Sequence, residues 1–341
     1  MLKVAVVGFR HGHIVSLVQQ AQALDYVQIV AAVEEDPREE ARAYVRQAGL
    51  ELTHDTFDQV LEEVDFDALL TADYFARRGT HLIKALGAGK HVHSDKPLCT
   101  SLEELQTIVQ LAREKDRFVT AALTLRYSPP FPTVRRLIRE GAIGEFCHAY
   151  GFGVHELAYR AGRPDWFFEP GKQRGTLNDL LVHGIDLIRW CSGRELTRVI
   201  AATVGNRSCP QVPWFQDSAQ AFFELDNGGK FFGDSSYLAP AGCPSPWMFH
   251  LWGTGGYLYF ESSGTLVYHQ AGRGPVAVDL RPDRLPVSNS VEDWARHIVF
   301  GDEPVLSADD TFQATAAALT AQAAAESGAR DVPIPDLGPR T

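Results

Sequence analysis

Along the first 121 residues, short apolar runs alternate with amphipathic stretches. Runs rich in small and β-branched residues predict strands at 3–7, 27–33, 68–71, 91–94 and 118–121. Between them apolar positions recur every three to four residues, predicting helices over 14–24, 38–48, 57–62, 80–88 and 102–115. This alternation implies an α/β fold, a doubly wound parallel sheet of the Rossmann type with helices on both faces. Such sheets bind ligands beyond the carboxyl ends of their strands, where the strand order reverses. Gly8, Glu34 and Lys96 all follow predicted strand ends.

The rhythm changes between residues 121 and 124, which places a dinucleotide-type domain at 1–121 and a second domain at 122–341. A helix over 131–140 stops at Gly141, a strand follows near 146–153, and an irregular stretch runs to Arg174. From 197 to 269 the chain reads as successive strands, with turn tetrads at Asp226-Asn227-Gly228-Gly229 and Gly253-Thr254-Gly255-Gly256. An open, mostly antiparallel sheet with one face on helices is expected, closed by helices near 291–300 and 308–327.

Composition narrows the function classes. A chain of 341 residues can bury two cores. The net charge of −11 argues against nucleic acid or an anionic membrane as partner. Cys99, Cys147, Cys191, Cys209 and Cys243 are scattered without a CxxC pair, as expected for reduced thiols in the cytoplasm. The apolar start ending at Gly8 is too short for a secretory signal, and no run is long enough to cross a membrane.

Chemistry concentrates in three places. Asp179, His183 and Asp186 stand at i, i+4 and i+7 of an apolar run, which puts them on one helical stripe. Polar groups on a buried stripe suggest a pocket wall; a structural Asp–His pair, or Asp186 simply paired with Arg189, is the plainer alternative. Lys96, before Pro97, could stabilise the alkoxide of a substrate hydroxyl, or be a surface lysine before a helix. The turn Gly8-Phe9-Arg10-His11-Gly12-His13 keeps only the first glycine of the G-x-G-x-x-G frame, yet opens a helix whose N-terminus favours an anion. Arg10 would either obstruct a pyrophosphate or turn outward to pair with it. Glu34 would accept hydrogen bonds from an adenosine ribose, favouring NAD over NADP, or belong to a solvated acidic run with Glu35 and Asp36. A metal at His11, His13 and His93 is not expected, since no carboxylate or thiol completes the set. His155 could reach the pocket, and Trp166, with Phe167 and Phe168, could stack on a sugar or pack in the core.

These residues together resemble the Gfo/Idh/MocA family, named for glucose–fructose oxidoreductase, inositol dehydrogenase and a rhizopine-catabolism protein. The run from Ala85 to Pro97 looks like the family's AGKHVxxEKP signature, the run from Asp179 to Asp186 looks like DxGxHxxD, and Gly141-Ala142-Ile143-Gly144-Glu145 is similar to its G-x-I-G-E turn. The resemblance spans nearly the whole chain. It implies Lys96, Asp179 and His183 as the catalytic trio, NAD at the Gly8 turn, a sugar or polyol substrate, and a homo-oligomer built on the open sheet. Family relatives that cleave or epimerise glycosides, and others that bind without turnover, supply the alternatives. Departures fall mainly on cofactor contacts: Arg10 and His13 replace glycines, Asp95 replaces Glu, Thr71-Ala72-Asp73 replaces Thr-Pro-Asn, Gln173-Arg174-Gly175 replaces a triple glycine, and Leu181 another glycine.

Overall fold

The computed structural model describes residues 1–36, 38–243, 247–278 and 284–337. Its first sheet holds β1 (Leu2–Val7), β2 (Val27–Val33), β3 (Ala68–Thr71), β4 (His91–Ser94) and β5 (Val119–Ala121), all parallel, in the order β2-β1-β3-β4-β5. The helices α1 (His13–Gln22), α2 (Glu39–Gln47), α3 (Phe57–Glu63), α4 (Phe75–Gly87) and α5 (Leu102–Glu114) connect them. The chain steps outward from β1 to β2 and back across to β3, so the strand order reverses beside β1 and the Gly8 turn lies at that point. The helix expected from residue 80 begins at Phe75 instead. Gly79, inside this helix, is a point of close packing: a Cβ there would lie 2.5 Å from Cδ of Glu104 on α5.

The second layer contains α6 (Pro130–Arg139), β6 (Phe146–Glu156), a π-helical turn (Leu177–Leu181) running into α7 (Val182–Ser192), β7 (Leu196–Gly205), β8 (Ser218–Leu225), β9 (Lys230–Ala239), β10 (Met248–Gly253), β11 (Gly256–Glu261), β12 (Leu266–Gln270) and β13 (Val276–Ala277). The chain continues with α8 (Ser290–Phe300), α9 (Ala308–Ser327) and β14 (Val332–Pro333). Among the described residues the sheet order is β13-β12-β11-β10-β6-β9-β8-β7-β14. Its pairings are antiparallel except β6 with β9. The sheet is therefore the open, mostly antiparallel one that the turn tetrads predict.

Period-two alternation decides what each face of this sheet does. Ala149, Phe231, Phe249 and Leu251 point inward and are buried, with α6 and α7 against that face. Gly151 and Gly233 interrupt the inner face because large groups need their space. A Cβ on Gly233 would meet Leu181 Cδ1 at 2.4 Å, so the π-helical turn lies directly on the sheet. Sequence position alone would place α8 with this layer. Its Val291, Trp294 and Ala295 instead pack with Val4, Val6, Phe9 and Ile14 of the first.

Candidate active site

β4 delivers Lys96 to the junction of the two layers. The Lys96 amine donates to Oδ1 of Asp179 at 2.6 Å and to the Asp179 carbonyl at 3.1 Å. Asp179 sits in the π-helical turn, and its Oδ2 accepts the Tyr237 hydroxyl from β9. Lys96 is 5% exposed and Asp179 2%. Burial opposes the Asp179 charge, but the adjacent Lys96 ammonium outweighs it and holds the carboxyl below the usual carboxylate range. His183 follows on α7. Burial, then the Lys96 charge and His155, push its pKa well below the ordinary 6.5. Its Nδ1 is buried with no hydrogen-bond partner among the described residues, and Trp247 stands edge-on to the ring at 5.4 Å.

His155 joins this group from within β6, which extends three residues beyond the expected strand. The register of parallel β6 and β9 sets it beside Tyr237, with ring centroids 6.4 Å apart. Burial, then Lys96, lower its pKa to about 4. Sequence reading missed Tyr237 and Trp247. Tyr237 had a signal: it continues the inward parity of Phe231, Gly233 and Ser235 on β9. Trp247 had one only in Gly153, where a Cβ would lie 2.2 Å from the indole.

The Gly8 turn differs from both expectations. Gly8 has φ +80°, and a Cβ there would come within 2.6 Å of Asp73 Cβ, so glycine is required. Glu34 is neither solvated nor free for a ribose. It accepts the amides of Phe9 at 2.5 Å and Asp36 at 2.7 Å, and Arg10 Nε at 3.3 Å. Arg10 does not turn outward toward a phosphate. It ion-pairs with Glu34, with Asp36 at 3.0 Å and with Asp73 at 3.4 Å, and lies 4.9 Å over the Tyr74 ring. Trp166 is no open sugar platform either. Its buried indole donates to the Arg10 carbonyl at 2.7 Å and packs on Phe75, tying the second layer to the turn.

A carboxylate does complete a His–His–Asp set, contrary to the sequence reading. His11 Nδ1 and His13 Nδ1 each lie 3.0 Å from Asp95, the residue before Lys96. His93 is elsewhere, against Thr120 at 2.8 Å and Ser290 at 3.3 Å. Two imidazoles and a carboxylate suit a divalent ion, and their atoms lie within 4.8 Å of one another. Asp95, however, also accepts the buried Arg78 guanidinium at 2.9 Å, a charge that opposes a second cation. Burial, then His13, lower the His11 pKa to about 3, so its contact with Asp95 is neutral imidazole on carboxylate. Asp186 leaves the pocket altogether. It pairs with Arg126, at 2.5 Å, rather than with Arg189, which goes to Glu195 and Asp310.

The residues fit a dinucleotide at the turn and at the catalytic end. The positive φ of Gly8 and the partly exposed start of α1 at Gly12 and His13 offer an anion site, while Lys96 and His183 stand ready at the other end. Glu34 does not supply the ribose contact in this conformation.

Comparison with known proteins agrees with this geometry. The family profile described as an oxidoreductase family with an NAD-binding Rossmann fold matches residues 2–123, and that of the GFO/IDH/MocA C-terminal domain matches residues 131–259. The chain belongs to the Gfo/Idh/MocA oxidoreductase family. Among curated members it is 26% identical over 203 residues to a scyllo-inositol 2-dehydrogenase (NAD(+)) of Bacillus subtilis, covering 59% of this chain and 58% of that one. It is 25% identical to inositol 2-dehydrogenase 2 of Saccharopolyspora erythraea, covering 87% and 85%. A D-xylose dehydrogenase of Paenarthrobacter nicotinovorans is 32% identical over 54% of this chain and 47% of that one. The chain thus spans about half the length of two of these three Gfo/Idh/MocA relatives. In fold it is similar to a levoglucosan dehydrogenase in complex with NADH and levoglucosan, with TM-score 0.80, 19% identity, and 98% and 100% of the two chains covered. An oxidoreductase domain protein from Kribbella flavida gives TM-score 0.82 at 19% identity, covering 98% and 99%. No helix among the described residues is long and apolar enough to cross a membrane.

Proposed function

We propose that this Gfo/Idh/MocA member moves a hydride between NAD and a secondary alcohol of a sugar, polyol or related cyclic alcohol. The observation that carries the reading is the Lys96–Asp179 contact between the two layers, beside a neutral His183 whose Nδ1 lacks a partner among the described residues. Lys96 donates to the substrate hydroxyl and stabilises the alkoxide. His183 takes or returns the hydroxyl proton, and Asp179, fixed between Lys96 and Tyr237, orients the hydroxyl. His155 and Trp247 wall the substrate side. The Gly8 turn and the start of α1 hold the pyrophosphate, and the NAD-binding Rossmann profile over residues 2–123 supports NAD rather than NADP. NAD, when bound, accepts the hydride from the carbinol carbon.

The test is NADH formation with full-length protein and a panel of myo-inositol, scyllo-inositol and D-xylose, with the matching ketones in reverse. Turnover by wild type, lost in Lys96→Met, supports the reading; no turnover in either direction with any member defeats it. The closed Arg10–Glu34 turn favours one rival, a regulatory protein that binds sugar without chemistry. Dinucleotide or sugar binding without turnover would be its signature.

We also infer a homo-oligomer through the outer sheet face. Tyr150, Phe232, His250, Trp252 and Tyr257 form an aromatic surface there, with Trp252 exposed and the others partly so. Sedimentation of wild type against Trp252→Glu reads this directly. The thiols of Cys99, Cys191 and Cys209, with no disulfide, support a cytoplasmic setting.

A further inference from the structure

A cavity of about 340 Å³ lies at the same junction but away from the trio. Neither Lys96, Asp179, His183 nor His155 lines it. One wall is the start of α5, at Thr100 and Ser101; the others are the Gln173–Gly175 segment, Trp214 to Gln216, and Gln322 with Glu326 on α9. Its volume is at the small end of ligand sites and suits a single ring, not a dinucleotide.

The lining shows what it takes. Gln173 is 6% exposed; its Oε1 accepts the Gly175 amide at 2.8 Å, but its Nε2 has no hydrogen-bond partner among the described residues. A buried amide left unpaired costs free energy that a ligand acceptor would recover. Trp214 is 54% exposed, unusual for an indole, yet its Nε1 is fixed on the Phe168 carbonyl at 2.8 Å, so a flat apolar surface is held at the rim. Arg174 is exposed, has φ +63°, and makes no ion pair among the described residues. The charge balance disfavours an anionic ligand. Against Arg174 the lining sets Glu103, Glu169 and Glu326, of which Glu169 is paired with Arg38 and Lys172. Amides, hydroxyls and carboxylates around an aromatic plate match a neutral ring bearing many hydroxyl groups.

We propose that this cavity is a second binding site, for a neutral monosaccharide or cyclic polyol, separate from the catalytic cleft and coupled to it. The coupling is short. Gln173 holds the Gly175 amide, and the Gly175 carbonyl accepts the amide of Asp179 at 3.2 Å. On the opposite wall Thr100 lies four residues after Lys96. A ligand seated here grips both segments that meet in the Lys96–Asp179 pair. The proposal does not depend on hydride transfer.

The experiment is calorimetric titration of the full chain with myo-inositol, D-xylose and D-glucose, each alone, followed by crystals soaked in any sugar that binds. Wild type is expected to bind at least one, with density against Trp214. Trp214→Ala should weaken that binding by about tenfold, the upper range for one lost aromatic contact. Gln173→Leu should do the same, with NAD affinity unchanged in both. Near-ultraviolet dichroism checks that both variants are folded, and Arg174→Gly, which relieves a left-handed backbone, supplies a third variant. The proposal is overturned if no sugar in the panel binds outside the trio's cleft. It is equally overturned if binding is unchanged in all three variants, or if sugar phosphates bind there in preference to neutral sugars. Cavity binding together with no turnover in either direction across the catalytic panel would defeat the catalytic reading and leave this one standing.

Discussion

Lys96 and Asp179 lie 83 residues apart in the chain and meet at 2.6 Å, one from the end of β4 and one from the π-helical turn beneath the second sheet. Each is nearly inaccessible, so neither charge is tolerable without the other. Lys96→Met should cost about 3–5 kcal/mol of unfolding free energy, the usual penalty for stranding one member of a buried pair. The double variant Lys96→Met/Asp179→Asn should recover most of that loss. Urea unfolding of the four proteins forms the cycle. Equal stability of wild type and Lys96→Met would mean that the pair is not formed in solution.

His183 is the proton carrier of the proposed reaction. His183→Ala should lower turnover by about 10²–10⁴-fold with little change in NAD affinity. Burial and the Lys96 charge keep its imidazole neutral. The acid limb of kcat/KM should therefore fall below about pH 6.5, the ordinary histidine value. A limb at or above that value would show that His183 titrates like an exposed histidine.

Arg10 has one role that stability reads and another that binding reads. Arg10→Gly removes the cation shared by Glu34, Asp36 and Asp73, and should destabilise by about 3 kcal/mol. The same change opens the turn at the second glycine position, so NAD should bind more tightly. Calorimetry with NAD decides this. Weaker binding would show that Arg10 leaves its carboxylates to hold the pyrophosphate.

Acid should destabilise the protein through its buried histidines. His11 and His93 are lowered to about 3, His91 and His155 to about 4, by burial first, and His183 lies well below its ordinary value. Unfolded, each binds its proton near pH 6.5; folded, each stays neutral. The unfolded state thus binds more protons, and stability, full above that pH, drops as pH falls toward 4. Unfolding at pH 5 should take up about five protons through these rings. Calorimetry in buffers of different ionisation enthalpy measures the uptake, and a value near zero would contradict the burial of these rings.

The sequence by itself determined what depends on near neighbours. Alternating apolar periods settled the parallel first sheet and the antiparallel second one, and two local runs marked Lys96, Asp179 and His183. Tertiary structure decided what depends on groups distant in the chain. An ideal helix would keep Asp186 on the stripe of Asp179 and His183. Asp186 follows His183 on the same regular helix, yet it meets Arg126, 60 residues away, instead of the pocket. The helix expected from residue 80 starts at Phe75, and the Gly79 inside it packs against Glu104 on a neighbouring helix, a contact local propensity does not show. Glu34 and Arg10 each invite a cofactor when read alone, and folding brings them onto each other. Asp95 reads as a change of signature until His11 and His13 arrive from the β1 turn. His155 stands beside Tyr237 only because β6 and β9 pair in one register, and register between distant strands is fixed by the whole packed face, not by the residues on either strand.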